Sequence, residues 1–122
     1  MLVPYKTIHQ KIAMGLLSFM PGEKEIKKLQ KTIDRYENDP DWKLYLWKAE
    51  DFVGVAGITL KDDGAYLQHI CVNPSFRQEG IGKAMLQQLK STLPCQLNPT
   101  KETKKFLEAC LVEEENGSSH QV

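Results

Sequence analysis

Apolar residues follow a helical spacing over the first third of the chain and a strand spacing over the second. From Tyr5 to Phe19, Ile8, Ile12, Leu16 and Phe19 recur at helical intervals, which predicts a first helix. Pro21-Gly22 breaks it. Glu23–Asn38 repeats the pattern with Ile26, Leu29, Ile33 and Tyr36, and its other face is rich in Lys and Glu, as on a solvated helix. Asn38-Asp39-Pro40-Asp41 ends that helix, because the residue before a proline resists the helical region. The period then falls to two. Trp42–Lys48 alternates, and Phe52–Leu60 is a β-rich run suited to a buried strand. Lys61-Asp62-Asp63-Gly64 is a hairpin turn signal leading into a strand at Ala65–Val72. Residues 1–4 read as an edge strand limited by Pro4.

After Asn73-Pro74-Ser75 the helical period returns over Glu79–Leu93, with Ile81, Ala84, Met85, Leu86 and Leu89 on one face. A short strand at Cys95–Leu97 lies between Pro94 and Pro99. A last helix is expected over Thr100–Val112, with Thr100 as its cap and Thr103 one turn on. The order is strand, two helices, three strands, helix, strand, helix. It predicts an α+β fold, an α/β sandwich with a mostly antiparallel sheet flanked by helices. The strand–helix–strand unit over Ala65–Leu97 should be parallel with a right-handed crossover.

The chain has 122 residues, the size of one domain. Residues 1–112 read as that domain. Residues 113–122 are acidic and polar, too poor in apolar side chains to fold, and are expected to be disordered. Sixteen basic residues balance sixteen acidic ones, so no global charge marks the chain for nucleic acid or an anionic membrane surface. Any bound anion must be held by local geometry. Cys71, Cys95 and Cys110 are odd in number and show no CxxC spacing, which argues against a zinc ribbon or a redox pair. No metal site is expected. Free thiols suit a reducing compartment, and with no run approaching a bilayer span the chain reads as cytoplasmic.

Chemistry concentrates in Leu67–Leu86, where a strand passes through a short loop into a helix whose first turn holds Gly80 and Gly82. The first N–H groups of a helix lack internal partners, and the helix dipole favours an anion there. Glycines leave room for a phosphate, and Arg77 and Lys83 can add charge-assisted hydrogen bonds. A Walker A loop does not fit, since Arg77 stands where its first glycine belongs and Ala84 where its Ser/Thr belongs. The dinucleotide fingerprint fails as well, with Met85 in place of the third glycine. What does fit is Arg77-Gln-Glu-Gly80-Ile-Gly82, preceded by Ile70-x-Val72 and Asn73-Pro74 and followed by Lys83-Ala84-Met85-Leu86.

This stretch resembles the pyrophosphate motif of the GCN5-related N-acetyltransferase (GNAT) family, and the element order resembles that family's from Tyr5 to Val112. At finer grain the chain resembles short family members encoded in bacterial riboflavin operons. The resemblance implies a GNAT-like acyl-CoA N-acyltransferase fold, C-terminally short, with acetyl-CoA or CoA as co-substrate. It implies that the strand ending at Val72 splays from the next one. Pantetheine would then pair with the backbone of Ile70 and Val72, and N–H groups of Arg77, Gln78, Glu79, Gly80, Ile81, Gly82 and Lys83 would surround the pyrophosphate. An N–H near Ile70 or Cys71 would hold the oxyanion, and Asn98 would lie near the pantetheine. The reaction implied is direct attack of a primary amine on the thioester, with a small-molecule or peptide amine as acceptor. The family commonly has a Tyr in the last helix to protonate the thiolate, and Phe106-Leu107 stands there. A homodimer partner would supply a wall that the short C-terminus lacks. The alternative is an acyl-CoA-binding regulatory or partner protein of flavin metabolism without turnover.

His69 is the histidine of the central strand and the candidate general base, its ordinary pKa suiting that role. A lone strand histidine is more often a hydrogen-bonded structural residue. Cys71 reads as a small buried hydrophobe, and Trp42, Tyr45 and Trp47 as strand packing.

Overall fold

The computed structural model describes residues 1–20, 22–77 and 79–109. Five strands form one sheet in the order β1 (Leu2–Pro4), β2 (Trp42–Lys48), β3 (Phe52–Lys61), β4 (Gly64–Val72) and β5 (Leu97–Pro99). The first four pair antiparallel, and β5 runs parallel to β4. The helices are α1 (Gln10–Leu17), α2 (Ile26–Asn38) and α3 (Ile81–Thr92), with a last helical segment, α4, at 104–109.

The sheet buries both faces. On one, Leu44, Leu46, Val55 and Cys71 meet Ala13, Leu16 and Leu17 of α1 and Leu29, Ile33 and Tyr36 of α2. On the other, Ala56, Ile58, Leu67, Ile70 and Val72 meet Met85, Leu86 and Leu89 of α3. Leu17, Ile33, Leu46, Ile58 and Leu67 are fully buried, each contributing about 1.5–3 kcal/mol through the area removed from water.

Three expectations shift. The first helix begins five residues later than its apolar period suggests, because the Tyr5 N–H continues the sheet by donating to the Leu44 carbonyl. Its buried stripe is Ala13, Leu16, Leu17 and Met20, while Ile8 is 84% exposed and Phe19 is half exposed. Ala13 on the inner face lets the helix lie close to the sheet. The second helix starts at Ile26, not Glu23, because Glu23 turns inward to polar partners on α2 and β4. The last strand lies at Leu97–Pro99 and not at Cys95–Leu97, with Leu97 opposite Ala65. The last helix begins within 104–109, and its expected end, residues 110–112 with Cys110, lies outside the described residues, as do Gln78 and the tail 113–122. Among the described residues, no helix is long and apolar enough to cross a membrane.

Candidate coenzyme and acceptor site

β4 has nine residues but pairs with β5 only at Ala65, Tyr66 and Leu67. The cause is local. β5 ends at Pro99, which has no N–H to continue the ladder. Thr100 and Thr103 then donate their hydroxyls to the Leu67 carbonyl at 2.9 and 2.8 Å, and the Thr103 hydroxyl accepts from the Thr100 N–H at 2.9 Å. These bonds fasten the start of α4 to β4 at the last paired residue and turn the chain out of the sheet.

Beyond Leu67, β4 carries a bulge. Ile58 pairs with Leu67 and Gly57 with His69, so Gln68 is the extra residue. It exchanges the faces: Ala65 and Leu67 point to the α3 side before it, Ile70 and Val72 after it, and Cys71 joins the opposite core. In a strand, side-chain face and hydrogen-bonding edge alternate together. The backbone groups of Ile70 and Val72 therefore point to the edge that β5 has left, as those of Ala65 and Leu67 do before it. Cys71, which pairs with Val55, points its own toward β3.

Facing this open edge is the start of α3. Asn73 accepts from the Ser75 N–H through its side chain and sets a short 3-10 turn, Pro74–Phe76. Arg77 folds back and donates from Nε to the Val72 carbonyl at 3.2 Å. Gly80 caps α3 with φ 77°, in the left-handed region that favours glycine. The first intrahelical bond runs from the Ala84 N–H to the Gly80 carbonyl. By helix geometry, the N–H groups of Ile81, Gly82 and Lys83 have no acceptor within α3. At Gly82 an added Cβ would lie 2.5 Å from the Phe106 ring. The glycine thus makes room for the last helix.

The result is a cleft of about 680 Å³, walled by Ile70, Cys71, Val72, Arg77, Gly80, Gly82 and Lys83. Phe19, Met20, Phe76, Glu102, Lys105, Phe106 and Ala109 complete it. Phe106 stands where the family resemblance placed a tyrosine, whereas Phe19, Met20, Glu102 and Lys105 are revealed only by their tertiary placement. Glu79 and Ile81 belong to the same turn without lining the cleft, Glu79 exposed and Ile81 packed on the α3 core. Asn98 does not join the group: its amide donates to the Ala65 carbonyl at 3.3 Å, bracing the closed end of the β4–β5 pair. Burial pushes the Cys71 thiol up despite nearby Arg77, so it is no ready nucleophile.

His69 faces the α2 side. Its Nδ1 lies 2.5 Å from the Tyr36 hydroxyl and its Nε2 3.1 Å from a Glu23 carboxylate oxygen, whose other oxygen accepts from Thr32 at 2.9 Å. Burial and the charge of Glu23 raise the Tyr36 phenol well above its ordinary value, so it keeps its proton. The hydroxyl is hydrogen-bonded to Nδ1, and the Nε2–H donates to the Glu23 carboxylate. Burial acts to raise the Glu23 carboxyl, but hydrogen bonds from His69 and Thr32 and attraction to His69 and Lys28 outweigh it, leaving the group below its ordinary value. Both ring nitrogens of His69 are thus engaged, the setting of a hydrogen-bonded strand histidine and not of a free base. Glu23 had no sequence signal beyond following a proline–glycine break.

Glu23, Gln68 and His69 line a second cleft of about 570 Å³, bounded by Lys28, Lys31, Thr32 and Arg35 of α2. Met20 and Glu102 line both clefts, which therefore meet across β4.

A splayed strand pair thus faces a glycine-rich helix start, and a second cleft opens onto the same strand. Residues 12–114 match the model of the acetyltransferase (GNAT) family, and the chain belongs to that family. It is a transferase of the N-acetyltransferase class. It is 47% identical over 113 residues to an uncharacterized N-acetyltransferase in the lysA 3' region of Bacillus methanolicus, covering 90% of this chain and 94% of that one. The fold matches the aminoglycoside 6'-N-acetyltransferase AAC(6')-IG of Acinetobacter haemolyticus, with TM-score 0.73 and 12% identity over 93% of this chain and 88% of that one. It also matches AAC(6')-Iy in complex with a CoA-linked acetylneamine bisubstrate analogue, with TM-score 0.70 and 16% identity over 93% and 87%.

Proposed function

We propose that the protein transfers an acetyl group from acetyl-CoA to a primary amine by direct attack on the thioester. The observation that carries this reading is the unpaired edge of β4 at Ile70 and Val72, opposite the start of α3. The pantetheine amides pair with that edge as an added strand. The N–H groups of Gly80, Ile81, Gly82 and Lys83 hold the pyrophosphate, with the Arg77 guanidinium and Lys83 ammonium beside it. The Ile70 N–H stabilises the oxyanion that develops on the thioester carbonyl. The amine arrives through the second cleft, where Glu23 and Glu102 draw in its ammonium form, and it must lose a proton to bulk water before it attacks. The C–N bond forms, the C–S bond breaks, and the thiolate takes up a proton. His69 acts through Glu23, as a positioning residue.

A second reading, an acyl-CoA-binding regulator or partner within flavin metabolism, draws on one observation. Phe106 lines the first cleft where the family resemblance calls for a tyrosine, so no phenol there can protonate the thiolate. Titration with acetyl-CoA by calorimetry, followed by thiol release in the presence of amines, separates the two. Binding with thiol release supports the transferase. Binding without release from a broad amine panel supports the regulator, and no binding removes both.

A further inference from the structure

Resting on that reading, we propose that the acceptor is a small amine that also carries an anionic group, a phosphate or a carboxylate, and that Lys31 and Arg35 bind that group. Lys28, Lys31, Thr32 and Arg35 share one face of α2 by their spacing, and all four line the second cleft. Lys27 does not line it. Among the described residues the one contact of ion-pair length is His69 with Glu23; Lys28 attracts the Glu23 carboxylate, while Lys31 and Arg35 have no carboxylate at that distance. Arg35 is also held in place, with its guanidinium 4.4 Å above the Trp42 ring. A stacked guanidinium keeps its N–H edge free for a bidentate anion. These features separate Lys31 and Arg35 from the solvated lysines expected of a surface helix.

The same cleft also carries carboxylates. Glu23 and Glu102 stand there, and Glu102 is where the two clefts join. An acceptor with an ammonium at one end and an anion at the other would lie with its amine toward the thioester. A polycationic amino sugar, the kind of acceptor named for the AAC(6') neighbours, would place further ammonium groups against Lys31 and Arg35. Repulsion of that kind rejects a ligand as effectively as contacts select one.

The test is calorimetric titration of the protein, free and CoA-saturated, with 2-aminoethyl phosphate, 4-aminobutyrate, butylamine and neamine. At least one of the two anion-bearing amines is expected to bind about tenfold or more tightly than butylamine and neamine, one charge-assisted contact being of that size. The tighter of the two identifies the anion. Lys31→Gln, at an exposed position, and Arg35→Gln should each shrink the margin several-fold. Failure to bind CoA would remove the transferase reading, while the titrations of the free protein still decide this one. Butylamine or neamine binding as tightly as both anion-bearing amines, no binding by either anion-bearing amine, or a margin unchanged in both variants would overturn the proposal.

Discussion

The Tyr36 hydroxyl reaches Nδ1 of His69 by passing through the space that a side chain at position 57 would fill. A Cβ built on Gly57 overlaps the phenol oxygen and lies 2.5 Å from Cζ. Gly57 is opposite His69 across the β3–β4 pair, at the bulge. One glycine in a buried strand therefore admits a helix side chain into contact with a strand histidine. Gly57→Ala is expected to destabilise the protein by about 1–3 kcal/mol, as overpacking does. Adding Tyr36→Phe should recover part of that loss, and chemical denaturation of the two single variants and the double checks it. Fully additive losses would contradict the shared space.

The Glu23 carboxyl, held below its ordinary value in the folded state, ties stability to pH in a definite direction. Its contribution is complete above the unfolded carboxyl pKa of about 4.3 and is lost as pH falls through the lower folded value. Glu23→Gln should be less stable than the parent near neutral pH, and the gap should close as pH drops below about 4. Denaturation midpoints for both proteins across this range provide the check. A gap that widens on acidification would show the sign to be wrong.

The Thr100–Thr103 pair is expected to hold open the coenzyme cleft by fastening α4 to Leu67. Thr103 is fully buried, and Thr103→Val keeps its shape while removing the hydroxyl. The change should cost about 1–3 kcal/mol, because it unpairs buried polar groups. Acetyl-CoA affinity should fall as well, since Glu102, Lys105 and Phe106 line the cleft from this segment. Stability and affinity measured on one preparation test the link, and a stability loss with affinity unchanged would break it.

Arg77→Ala should weaken acetyl-CoA binding by about 10- to 100-fold, the loss of a charge-assisted contact. Folding should change little, because Arg77 is exposed and donates to a single carbonyl. Calorimetry on the variant tests this, and undiminished affinity would take Arg77 out of the site.

Thiol labelling should separate two cysteines. Cys95 is exposed, whereas Cys71 is buried with its thiol pushed up. Iodoacetamide is expected to modify Cys95 first in the native protein, with Cys71 following only on unfolding, as read by peptide mass spectrometry. Because a ligand of the folded state opposes unfolding, acetyl-CoA should slow the reaction of Cys71 further.

The strands and helices were legible because each carries a one-sided apolar period. The splayed strand was legible only through the family resemblance carried by the loop motif. What lay beyond sequence was what depends on which side an element turns. The Ile8–Phe19 stripe looks like a buried face, but Ala13 decides the packing because it is small. Gln68 and His69 look like ordinary alternation, but a bulge opposite Gly57 and Ile58 moves Ile70 and Val72 to the open edge. Glu23 reads as part of a charged helix face, and only the fold shows it bonded to His69 and Thr32.

The most direct test of the central claim is to follow backbone amide resonances while acetyl-CoA is added. If coenzyme lies along the open edge of β4 and over the start of α3, the amides of Ile70, Val72 and residues 79–83 should shift together and saturate with one binding constant. Shifts confined to α2 and β2, or none at all, would contradict the site.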